Sequence, residues 1–436
     1  MKTDTKRFYI KTLGCKVNQY EGQLMRENLL KNGFLECGSM NLADIYIVNT
    51  CTVTHKADSE SRHIIGLAHR TNPKARIVVT GCYVEKDSRD IFLLPGVKHI
   101  VGNEEKHDIA SILSRGKAGR SNSAYHRISD FKGHVKAFVK IQDGCDNYCA
   151  YCKVPLVRGQ PKSKPIEYIL EEARGLIEGG FKEIVLTGIC LGSWGKDLSP
   201  NASLLDVLKA LDTLEGSFRI RLSSIEPRYV TDELIGHISS NEKICRHLHI
   251  PLQSGDDDVL KRMNRPYLMD EYGDIIRRIR AAMPDAAIAT DVLVGFPGET
   301  EENFRNTLEA LRKIKPMRVH VFPYSRRDGT KAAEYKDMVR SEDIRKRHTA
   351  VWALALETSY LYRLGFVDKT LDVLVETKRN TQTGMLEGYS KNYIKVLLNG
   401  PDSLMGEIVP VKIDFMTLTH TIANSIRLIN QVNQPD

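Results

Sequence analysis

Three cysteines, Cys145, Cys149 and Cys152, lie within eight residues and form a C-x3-C-x2-C spacing. Three thiolates at this spacing can bind three irons of a cubane cluster and leave the fourth iron open to a substrate or cofactor. The alternative is a structural zinc knuckle, which needs a fourth Cys or His at short spacing. The nearest histidines, His126 and His134, lie upstream at no familiar spacing. The stretch therefore predicts a [4Fe–4S] cluster with an open iron.

Three further cysteines each follow a strand-like stretch. Cys15, Cys51 and Cys82 come two residues after the ends of Phe8–Leu13, Ile45–Asn49 and Arg76–Thr80. Loops at the carboxyl ends of parallel strands converge on one rim, where open α/β sheets bind ligands. The alternative is three buried side chains that act as small hydrophobic residues. The shared position after successive strands favours a common site.

Length and composition describe an ordinary globular protein. A chain of 436 residues should hold two or three domains, and 27% charged with 42% hydrophobic residues is usual for such a chain. The sequence has no apolar stretch of membrane-spanning length and no apolar N-terminal segment, so we expect no membrane span and no secretory signal. Nine cysteines with cluster-type spacing indicate a reducing compartment, and we expect a cytoplasmic protein.

The charge is uneven along the chain. The whole sequence has a net charge of +8, and residues 1–132 contain 21 Lys and Arg against 14 Asp and Glu. A basic first domain suits a polyanionic partner such as RNA. A generic solubilising charge would give the same balance, so this feature does not decide the partner.

The elements that must position these cysteines follow an α/β pattern. Strand-like stretches alternate with the helix-like stretches Gln19–Lys31 and Lys56–Arg70, which predicts a parallel sheet covered by helices over residues 1–115. Residues 116–132 are polar, basic and rich in Gly and Ser, and are predicted to be a linker.

Residues 133–365 contain six further strand candidates with helical stretches between most of them. The candidates are Ala137–Gln142, Glu183–Thr187, Arg219–Ser223, Leu248–Ile250, Ile288–Val294 and Arg318–Phe322. Six strand–helix units are too few for a closed eight-stranded barrel, so they predict an open, partial (β/α)6 barrel with its functional residues at the carboxyl ends of the strands. A long helix at Arg340–Leu364 should leave this barrel. Short strands over residues 366–432 then predict a small antiparallel β-barrel.

The C-x3-C-x2-C loop resembles the signature of radical S-adenosylmethionine (SAM) enzymes. That resemblance implies that the open iron holds SAM, with the rest of the cofactor bound at the carboxyl ends of the later strands. The alternative for each of these segments is an ordinary strand-to-helix turn. The candidate cofactor-binding residues are Thr187, Gly188, Ser224, Glu226, Gln253 and Gly295.

The order of all these motifs resembles the methylthiotransferase family of radical SAM enzymes over nearly the whole chain. The resemblance implies an N-terminal methylthiotransferase domain, a radical SAM partial barrel and a C-terminal TRAM domain. It implies two [4Fe–4S] clusters: Cys145, Cys149 and Cys152 would ligate the radical SAM cluster and serve catalysis. An auxiliary cluster would be ligated by Cys15, Cys51 and Cys82. It also implies an electron donor such as flavodoxin or ferredoxin.

The stretch Leu13–Glu21 reads Leu-Gly-Cys-Lys-Val-Asn-Gln-Tyr-Glu and indicates a branch within the family. It resembles the branch that adds a methylthio group to C2 of N6-threonylcarbamoyladenosine (t6A) at position 37 of tRNA, giving ms2t6A. The isopentenyladenosine branch usually reads Gly-Cys-Gln-Met-Asn here, and the branch acting on a ribosomal protein aspartate usually reads Gly-Cys-Ala-Lys-Asn. Those two substrates remain alternatives. A non-catalytic iron–sulfur RNA-binding protein is a third alternative, from another functional class.

Three positions depart from the family pattern. Lys153 stands where an apolar residue is usual, and Cys190 stands where Asn or His is more usual. The segment Arg158–Pro161 also differs from the sequence that is common in the family at this place. None of these departures removes a predicted cluster ligand, so they bear on contacts around SAM and substrate and leave the reaction class unchanged.

Overall fold

The computed structural model describes residues 6–116, 126–199 and 202–425. Along the chain it contains a parallel-sheet α/β unit, a six-stranded open barrel and a small closed β-barrel, which confirms the expected fold class. None of the helices in these ranges is long and apolar enough to cross a membrane.

The first unit is a five-stranded parallel sheet in the order β2-β1-β3-β4-β5. Its strands are β1 (Arg7–Thr12), β2 (Leu35–Glu36), β3 (Ile45–Thr50), β4 (Arg76–Gly81) and β5 (Val97–Val101). Its helices are α1 (Lys16–Lys31), α2 (His55–Thr71), α3 (Val84–Phe92) and α4 (Ile109–Arg115). Strand β3 is buried along its whole length, as expected for a central parallel strand.

The sequence analysis did not predict β2 and β5, and its predicted start of α1 is three residues later than the observed start. Strand β5 reads Val-Lys-His-Ile-Val at the sheet edge, and Lys98 is exposed there, so the strand lacks the apolar run of a central strand. Helix α1 begins at Lys16 because Cys15 has the extended backbone of an N-cap residue, with ψ of 172°. The early start puts Lys16 in the first turn, directly after a predicted cluster ligand.

The second unit contains six parallel strands in chain order around an open barrel. Two three-stranded sheets are connected by a bridge between Ile220 and Ile244. The barrel strands are β6 (Lys136–Lys140), β9 (Glu183–Thr187), β10 (Arg219–Leu222), β11 (His247–His249), β12 (Ala287–Val294) and β13 (Arg318–Pro323). A short hairpin of β7 (Gln142–Asp143) and β8 (Lys162–Ser163) carries the cysteine loop and α5 (Val154–Arg158).

Amphipathic helices cover the outside of this barrel. They are α6 (Ile166–Glu178), α7 (Leu204–Asp212), α8 (Asp232–Ser240), α9 (Asp257–Arg262), α10 (Met269–Ala282) and α11 (Glu301–Ile314). In α6, Ile169, Ala173 and Leu176 recur at helical spacing and are buried in the main core. Fully burying a side chain such as Ile169 or Leu176 contributes about 1.5–3 kcal/mol. Within the described residues, no strand pairs with the outer edge of β6 or of β13. The barrel is therefore open between these two strands.

The long helix α12 (Ser341–Leu364) leads into a closed five-stranded barrel in the order β14-β15-β16-β18-β17. Its strands are β14 (Thr370–Arg379), β15 (Leu386–Ser390), β16 (Lys395–Leu398), β17 (Ile408–Met416) and β18 (Thr421–Ser425). Alternate residues such as Val373 and Val375 fill its core. Strand β18 was not predicted from the sequence. It pairs with β16 in parallel, whereas the other strand pairs of this barrel are antiparallel.

The segment predicted as a linker falls partly outside the described residues, which omit 117–125. Within its described residues, 116 and 126–132, Ile128 and Phe131 are buried in the barrel core. The carboxylate of Glu27 in α1 accepts hydrogen bonds from the backbone of Ser129 and Asp130, at 2.8 and 3.1 Å. This segment therefore helps to fix the first unit against the second.

Candidate iron–sulfur centres and cofactor rim

The loop of Cys145, Cys149 and Cys152 is held by backbone hydrogen bonds from three directions. The Cys145 amide donates to the Gly159 carbonyl at 3.0 Å, and the Ala150 amide donates to the Met263 carbonyl at 2.8 Å. From beyond β13, the Ala332 amide donates to the Ala150 carbonyl at 2.7 Å. The thiols therefore project from a fixed loop at the carboxyl end of the first barrel strand, as the sequence predicted for a partial barrel.

Gly144 allows this loop to fold back on itself. Its φ is +73°, and a Cβ atom added there would lie 2.0 Å from the carbonyl oxygen of Gln160. No other residue type fits this approach without moving the backbone, so Gly144 is required for the position of Cys145.

Arg265 contacts this triad from the segment after α9. Its Nη1 donates to Sγ of Cys149 at 3.2 Å, and its Nη2 donates to the carboxylate of Glu226. Burial raises the pKa of Cys149, and the Arg265 charge acts in the opposite direction. Burial also raises the pKa of Cys152 to about 12. Buried thiols next to one guanidinium suit iron ligation, because a bound metal deprotonates its thiol ligands.

Cys190 lies beside Cys145. The side-chain interaction between these two cysteines raises the pKa of Cys145 well above its usual range and lowers the pKa of Cys190. The Cys190 amide donates to Oε1 of buried Gln142 at 2.8 Å, which fixes this loop against the end of β6. The residue noted as a departure from the family pattern is thus a neighbour of a predicted cluster ligand.

The N-terminal triad also comes together. A Cβ atom added at Gly14 would lie 2.8 Å from Sγ of Cys51, so the loop carrying Cys15 lies directly on Cys51. Burial raises the pKa of Cys51 to about 11, and the thiols of Cys15 and Cys82 act on it in the same direction. The three loops after β1, β3 and β4 therefore bring their cysteines to one site. Within the described ranges, no three His, Cys, Asp or Glu side chains are arranged to hold a single metal ion.

Arg158 connects the two triads. It lies at the end of α5, and its Nε donates to Sγ of Cys82 at 3.1 Å. Its other nitrogens donate to Glu21 at 2.5 Å and to Oδ1 of Asn18 at 2.6 Å, both on α1. Burial acts to raise the pKa of Glu21, but Arg158, Lys106 and the Lys140 ammonium outweigh it and hold that pKa well below its usual range. A buried ionic cluster thus ties the segment after one triad to a cysteine of the other.

Four of the six predicted cofactor-binding residues lie at the end of β9 or in the loops that follow β9 and β10, and they have distinct surroundings. Thr187 is buried at the end of β9. A Cβ atom at Gly188 would lie 2.9 Å from Oε1 of Gln142, so Gly188 serves the packing of that side chain. Ser224 and Glu226 are partly exposed after β10, and Glu226 is oriented by Arg265.

The remaining two lie after β11 and β12. Gln253 has a left-handed φ of +66° and bridges to Val292. Gly295 has φ of +77°, and its missing side chain makes room for Ile344 of α12, which an added Cβ would approach to 2.4 Å. The close approach at Gly295 is therefore made by a helix. All six residues share the carboxyl-terminal rim on which the cysteine loop lies.

Sequence reasoning missed several residues that build the site. The sequence alone did not single out Arg265 as a site residue, and Arg158 was noted only as part of a departure from the family pattern. Arg327, after β13, is buried and donates to the Thr52 carbonyl at 3.0 Å and to Asp58 at 2.5 Å, which fixes the segment after Cys51. No local spacing marks these arginines, because their partners are far away in the sequence.

Comparison with known proteins defines the class. The profile of the radical SAM superfamily matches residues 139–311, and that of uncharacterized protein family UPF0004 matches residues 7–102. The fold is similar to that of the radical SAM methyltransferase TsrM from Kitasatospora setae, with a TM-score of 0.56 and 13% identity over 75% of this chain and 77% of that one. It is also similar to the cobalamin-dependent SAM radical enzyme OxsB, with a TM-score of 0.51 and 13% identity over 79% and 56% of the two chains. The fold and the cysteine loop define a radical SAM enzyme, with SAM and a [4Fe–4S] cluster as its cofactors.

Relatives of known name define the family. Threonylcarbamoyladenosine tRNA methylthiotransferase MtaB of Bacillus subtilis is 38% identical over 92% of both chains. The MtaB of Thermotoga maritima is 38% identical over 88% of this chain and 90% of its own. The tRNA-2-methylthio-N(6)-dimethylallyladenosine synthase of Pelotomaculum thermopropionicum is 33% identical over 95% and 96% of the two chains. This chain belongs to the radical SAM methylthiotransferase family, in its MtaB branch.

Proposed function

We propose that this chain is a transferase that adds a methylthio group to C2 of N6-threonylcarbamoyladenosine at position 37 of tRNA. The relatives of the MtaB branch carry that activity in their names, and they match this chain along nearly its full length. The observation that carries the proposal is the contact between Arg158 and Cys82, which ties a second cysteine triad to the radical SAM loop. A radical enzyme that only abstracts hydrogen needs one cluster, whereas adding sulfur calls for a second site.

In this proposal Cys145, Cys149 and Cys152 hold the radical SAM cluster. When bound, the cluster and SAM supply a radical that can take the hydrogen from the strong aromatic C–H bond at C2, which no side-chain base could remove as a proton. Arg265 balances the charge at Cys149 and orients Glu226. Ser224 and Glu226 are the partly exposed polar groups after β10, and the two oxygens of Glu226 can accept hydrogen bonds from ribose hydroxyls.

The other residues of the proposed SAM site shape the rim. Thr187 and Gly188 lie where β9 passes into the loop that follows it. The missing side chain of Gly188 leaves space for Gln142. Gln253 presents a side chain from a left-handed turn after β11. Gly295 allows α12 to pack behind the loop after β12. The contribution of these residues is shape and exclusion of water around the cofactor.

The N-terminal triad, Cys15, Cys51 and Cys82, is proposed to hold an auxiliary [4Fe–4S] cluster. The convergence of three loops on Cys51 supports this assignment, as does the guanidinium of Arg158 beside Cys82. A cation next to a thiolate stabilises its charged form, which favours iron ligation. The proposed division of labour gives radical formation to the barrel triad and sulfur handling to the N-terminal triad.

The proposal divides the chain at the boundaries expected from the sequence. Residues 1–115 form the methylthiotransferase domain, 116–132 the connection, 133–365 the radical SAM domain and 366–432 the TRAM domain. Profile matches at 7–102 and 139–311 fall inside the first two domains, and the closed barrel falls inside the last. The anticodon stem–loop of tRNA would be the partner, with a flavodoxin or ferredoxin as electron donor and the cytoplasm as location.

The test offers three substrates side by side to anaerobically reconstituted, reduced protein: t6A-bearing tRNA, isopentenyladenosine-bearing tRNA and a ribosomal protein. We expect a methylthio product only on the first, measured by mass spectrometry of the digested nucleosides and of the protein. Turnover of either other substrate, with none of the first, would overturn the substrate assignment. Absence of SAM cleavage would indicate instead a non-catalytic iron–sulfur RNA-binding protein.

A further inference from the structure

The interior of the open barrel contains a group of basic side chains that have no role in holding the clusters or SAM. Strand register places His247 and His249 of β11, Asp291 of β12, and Arg318 and His320 of β13 on one face. His249 lies 3.0 Å from Asp291, and its ring stacks on His320 with centroids 5.4 Å apart. Strand β13 is one of the two edge strands of the open barrel, so this face borders the lateral opening.

Lys16 of α1 extends into the same interior. Its ammonium is within electrostatic range of Arg221, Lys136 and Glu183, and it also acts on the rings of His247 and His320. These residues lie on five different barrel strands. Helix α1 packs against β6, so Lys16 lies on the side of α1 that faces the barrel. Lys16 is also the residue that directly follows Cys15 of the N-terminal triad.

Two cations of this interior are left without an acidic partner. Lys136 forms an ion pair with Glu376 at 2.6 Å, and Arg221 forms one with Glu183 at 2.8 Å. In the part of the chain that the structure describes, the side chains of Lys16 and Arg318 make no hydrogen bond or ion pair. Both cations lie close enough to His320 to act on its pKa, and neighbouring like charges repel one another, so this arrangement is unfavourable until an anion binds.

His247 adds an independent sign of a missing ligand. It is only 5% exposed, yet neither ring nitrogen has a hydrogen-bond partner in the described ranges. One ring face packs on Tyr393 of the C-terminal barrel, with centroids 4.7 Å apart. An unsatisfied buried polar group is destabilising, and a ligand oxygen that accepts from the ring N–H would satisfy one of these two nitrogens.

We propose that Lys16, His247 and Arg318 bind the carboxylate of the threonylcarbamoyl group on the substrate base, with Lys16 as the residue that determines specificity. The proposal rests on the proposed function and adds the group that the site recognises. In adenine, C2 and C6 flank the same ring nitrogen. A base that presents C2 towards the Cys15 loop therefore carries its N6 substituent close to the next residue of the chain.

This arrangement would recognise a substrate base with a charged N6 substituent and would also reject a base without one. A site built to hydrogen-bond a charged substrate group discriminates strongly against an analogue that lacks the group, because its own polar groups are left unpaired. A hydrocarbon substituent on N6 would leave Lys16 and Arg318 without an anion and would be disfavoured. Because Lys16 directly follows Cys15, the residue that selects the substrate lies at the end of the loop that carries a cysteine of the N-terminal triad.

The test measures binding by the full-length, reconstituted protein to three anticodon stem–loop RNAs. One carries t6A, one carries its methyl ester, and one carries unmodified adenosine. We expect wild-type protein to bind the first about tenfold or more tighter than the other two, since hydrogen bonds to charged groups contribute about 1.5–3 kcal/mol. In Lys16→Gln this preference should be lost while affinity for the unmodified RNA is unchanged.

Matched variants separate the alternatives. Lys16→Arg, which keeps the charge, should retain most of the preference, and Lys31→Gln, on the exposed end of the same helix, should retain all of it. Arg318→Gln, at the exposed start of β13, should reduce the preference without touching the N-terminal triad, and it decides the question if Lys16→Gln loses iron. Equal weakening of all three RNAs by Lys16→Gln would indicate a phosphate contact and overturn the proposal, as would a wild-type protein that does not distinguish acid from ester. A selective loss of binding in a protein that turns over none of the three RNAs would leave this inference standing while the proposed function fails.

Discussion

The guanidinium of Arg158 donates a hydrogen bond to the thiol of Cys82 at 3.1 Å, although the two residues lie 76 positions apart and in different structural units. Helix α5, which carries Arg158, begins two residues after Cys152. A single short helix therefore connects the last cysteine of one triad with a cysteine of the other. Arg158 also donates to Glu21 of the first unit at 2.5 Å and to Asp143 of the second unit at 3.2 Å, so its position is fixed from both sides of the domain contact.

Replacing Arg158 with Gln should selectively disturb the N-terminal triad. Glu21 would lose one of its three cationic partners and Cys82 its only guanidinium donor among the described residues. Removing one partner of a buried ion pair costs about 3–5 kcal/mol. We expect lower iron content and no methylthio product, while reductive cleavage of SAM continues. Iron analysis and SAM cleavage by liquid chromatography measure the two effects.

The control is Arg277→Gln, because that arginine is exposed on α10 and pairs only within its own helix. It should keep full iron content and activity. If Arg158→Gln also kept both, the contact with Cys82 would be a packing feature without a role in the cluster.

Replacing Cys15, Cys51 and Cys82 together with Ala should leave reductive SAM cleavage and abolish methylthio transfer. The reason is that radical formation needs only the open cluster of the barrel loop. The matched variant replaces Cys145, Cys149 and Cys152 and should lose SAM cleavage altogether. Each triple variant should hold about four irons where the unchanged protein holds about eight. Normal product from the first variant, or full iron in the second, would contradict the two-cluster assignment.

Cys190 should be able to replace Cys145 as a cluster ligand, because the two side chains lie close enough for each to shift the pKa of the other. In protein that already lacks the N-terminal cysteines, Cys145→Ala should retain part of its iron, and the addition of Cys190→Ala should remove it. Cys149→Ala is the comparison, since the hydrogen-bond partner of that thiol is the guanidinium of Arg265. Electron paramagnetic resonance of the reduced proteins would report the clusters. Equal iron loss with and without Cys190 would show that this sulfur cannot serve as a ligand.

Glu183 should make the contact between the barrel and the C-terminal domain sensitive to acid. Burial acts to raise its pKa, but Arg221 and Arg219 outweigh it and hold the pKa well below the usual range. The same two arginines donate to backbone carbonyls of the C-terminal barrel at Tyr389 and Ser390, at 2.8 and 3.1 Å. A carboxyl with a depressed folded pKa stabilises the fold above its ordinary pKa, and this stabilisation is lost as the pH falls below about 4.5.

The measurement is urea unfolding of the apo protein followed by the fluorescence of Trp194, which is buried in the barrel. Glu183→Gln should lower the free energy of unfolding by about 3–5 kcal/mol at neutral pH, since two arginines stay buried without their partner. It should also flatten the dependence of that free energy on pH below about 4.5. Glu309→Gln, exposed on α11, should change neither quantity. An unchanged acid dependence in Glu183→Gln would assign the effect to other carboxyls.

The sequence by itself determined the features that depend on neighbouring residues. The alternation of strands and helices follows from local periodicity, and it predicted the six barrel strands to within a few residues. The C-x3-C-x2-C spacing is a local property of one loop. Even the convergence of Cys15, Cys51 and Cys82 was predictable, because parallel strands place the loops at their carboxyl ends on one rim.

Tertiary structure decided which side chains complete the site. Arg265 reaches Cys149 across 116 positions, and Arg158 reaches Cys82 across 76. Lys16 lies among titratable groups from five barrel strands because α1 packs against β6. Such contacts depend on how whole domains pack, and packing is set by the sum of many distant apolar contacts. No spacing along the chain encodes them, which is why two buried arginines and an unpaired lysine were visible only in the folded molecule.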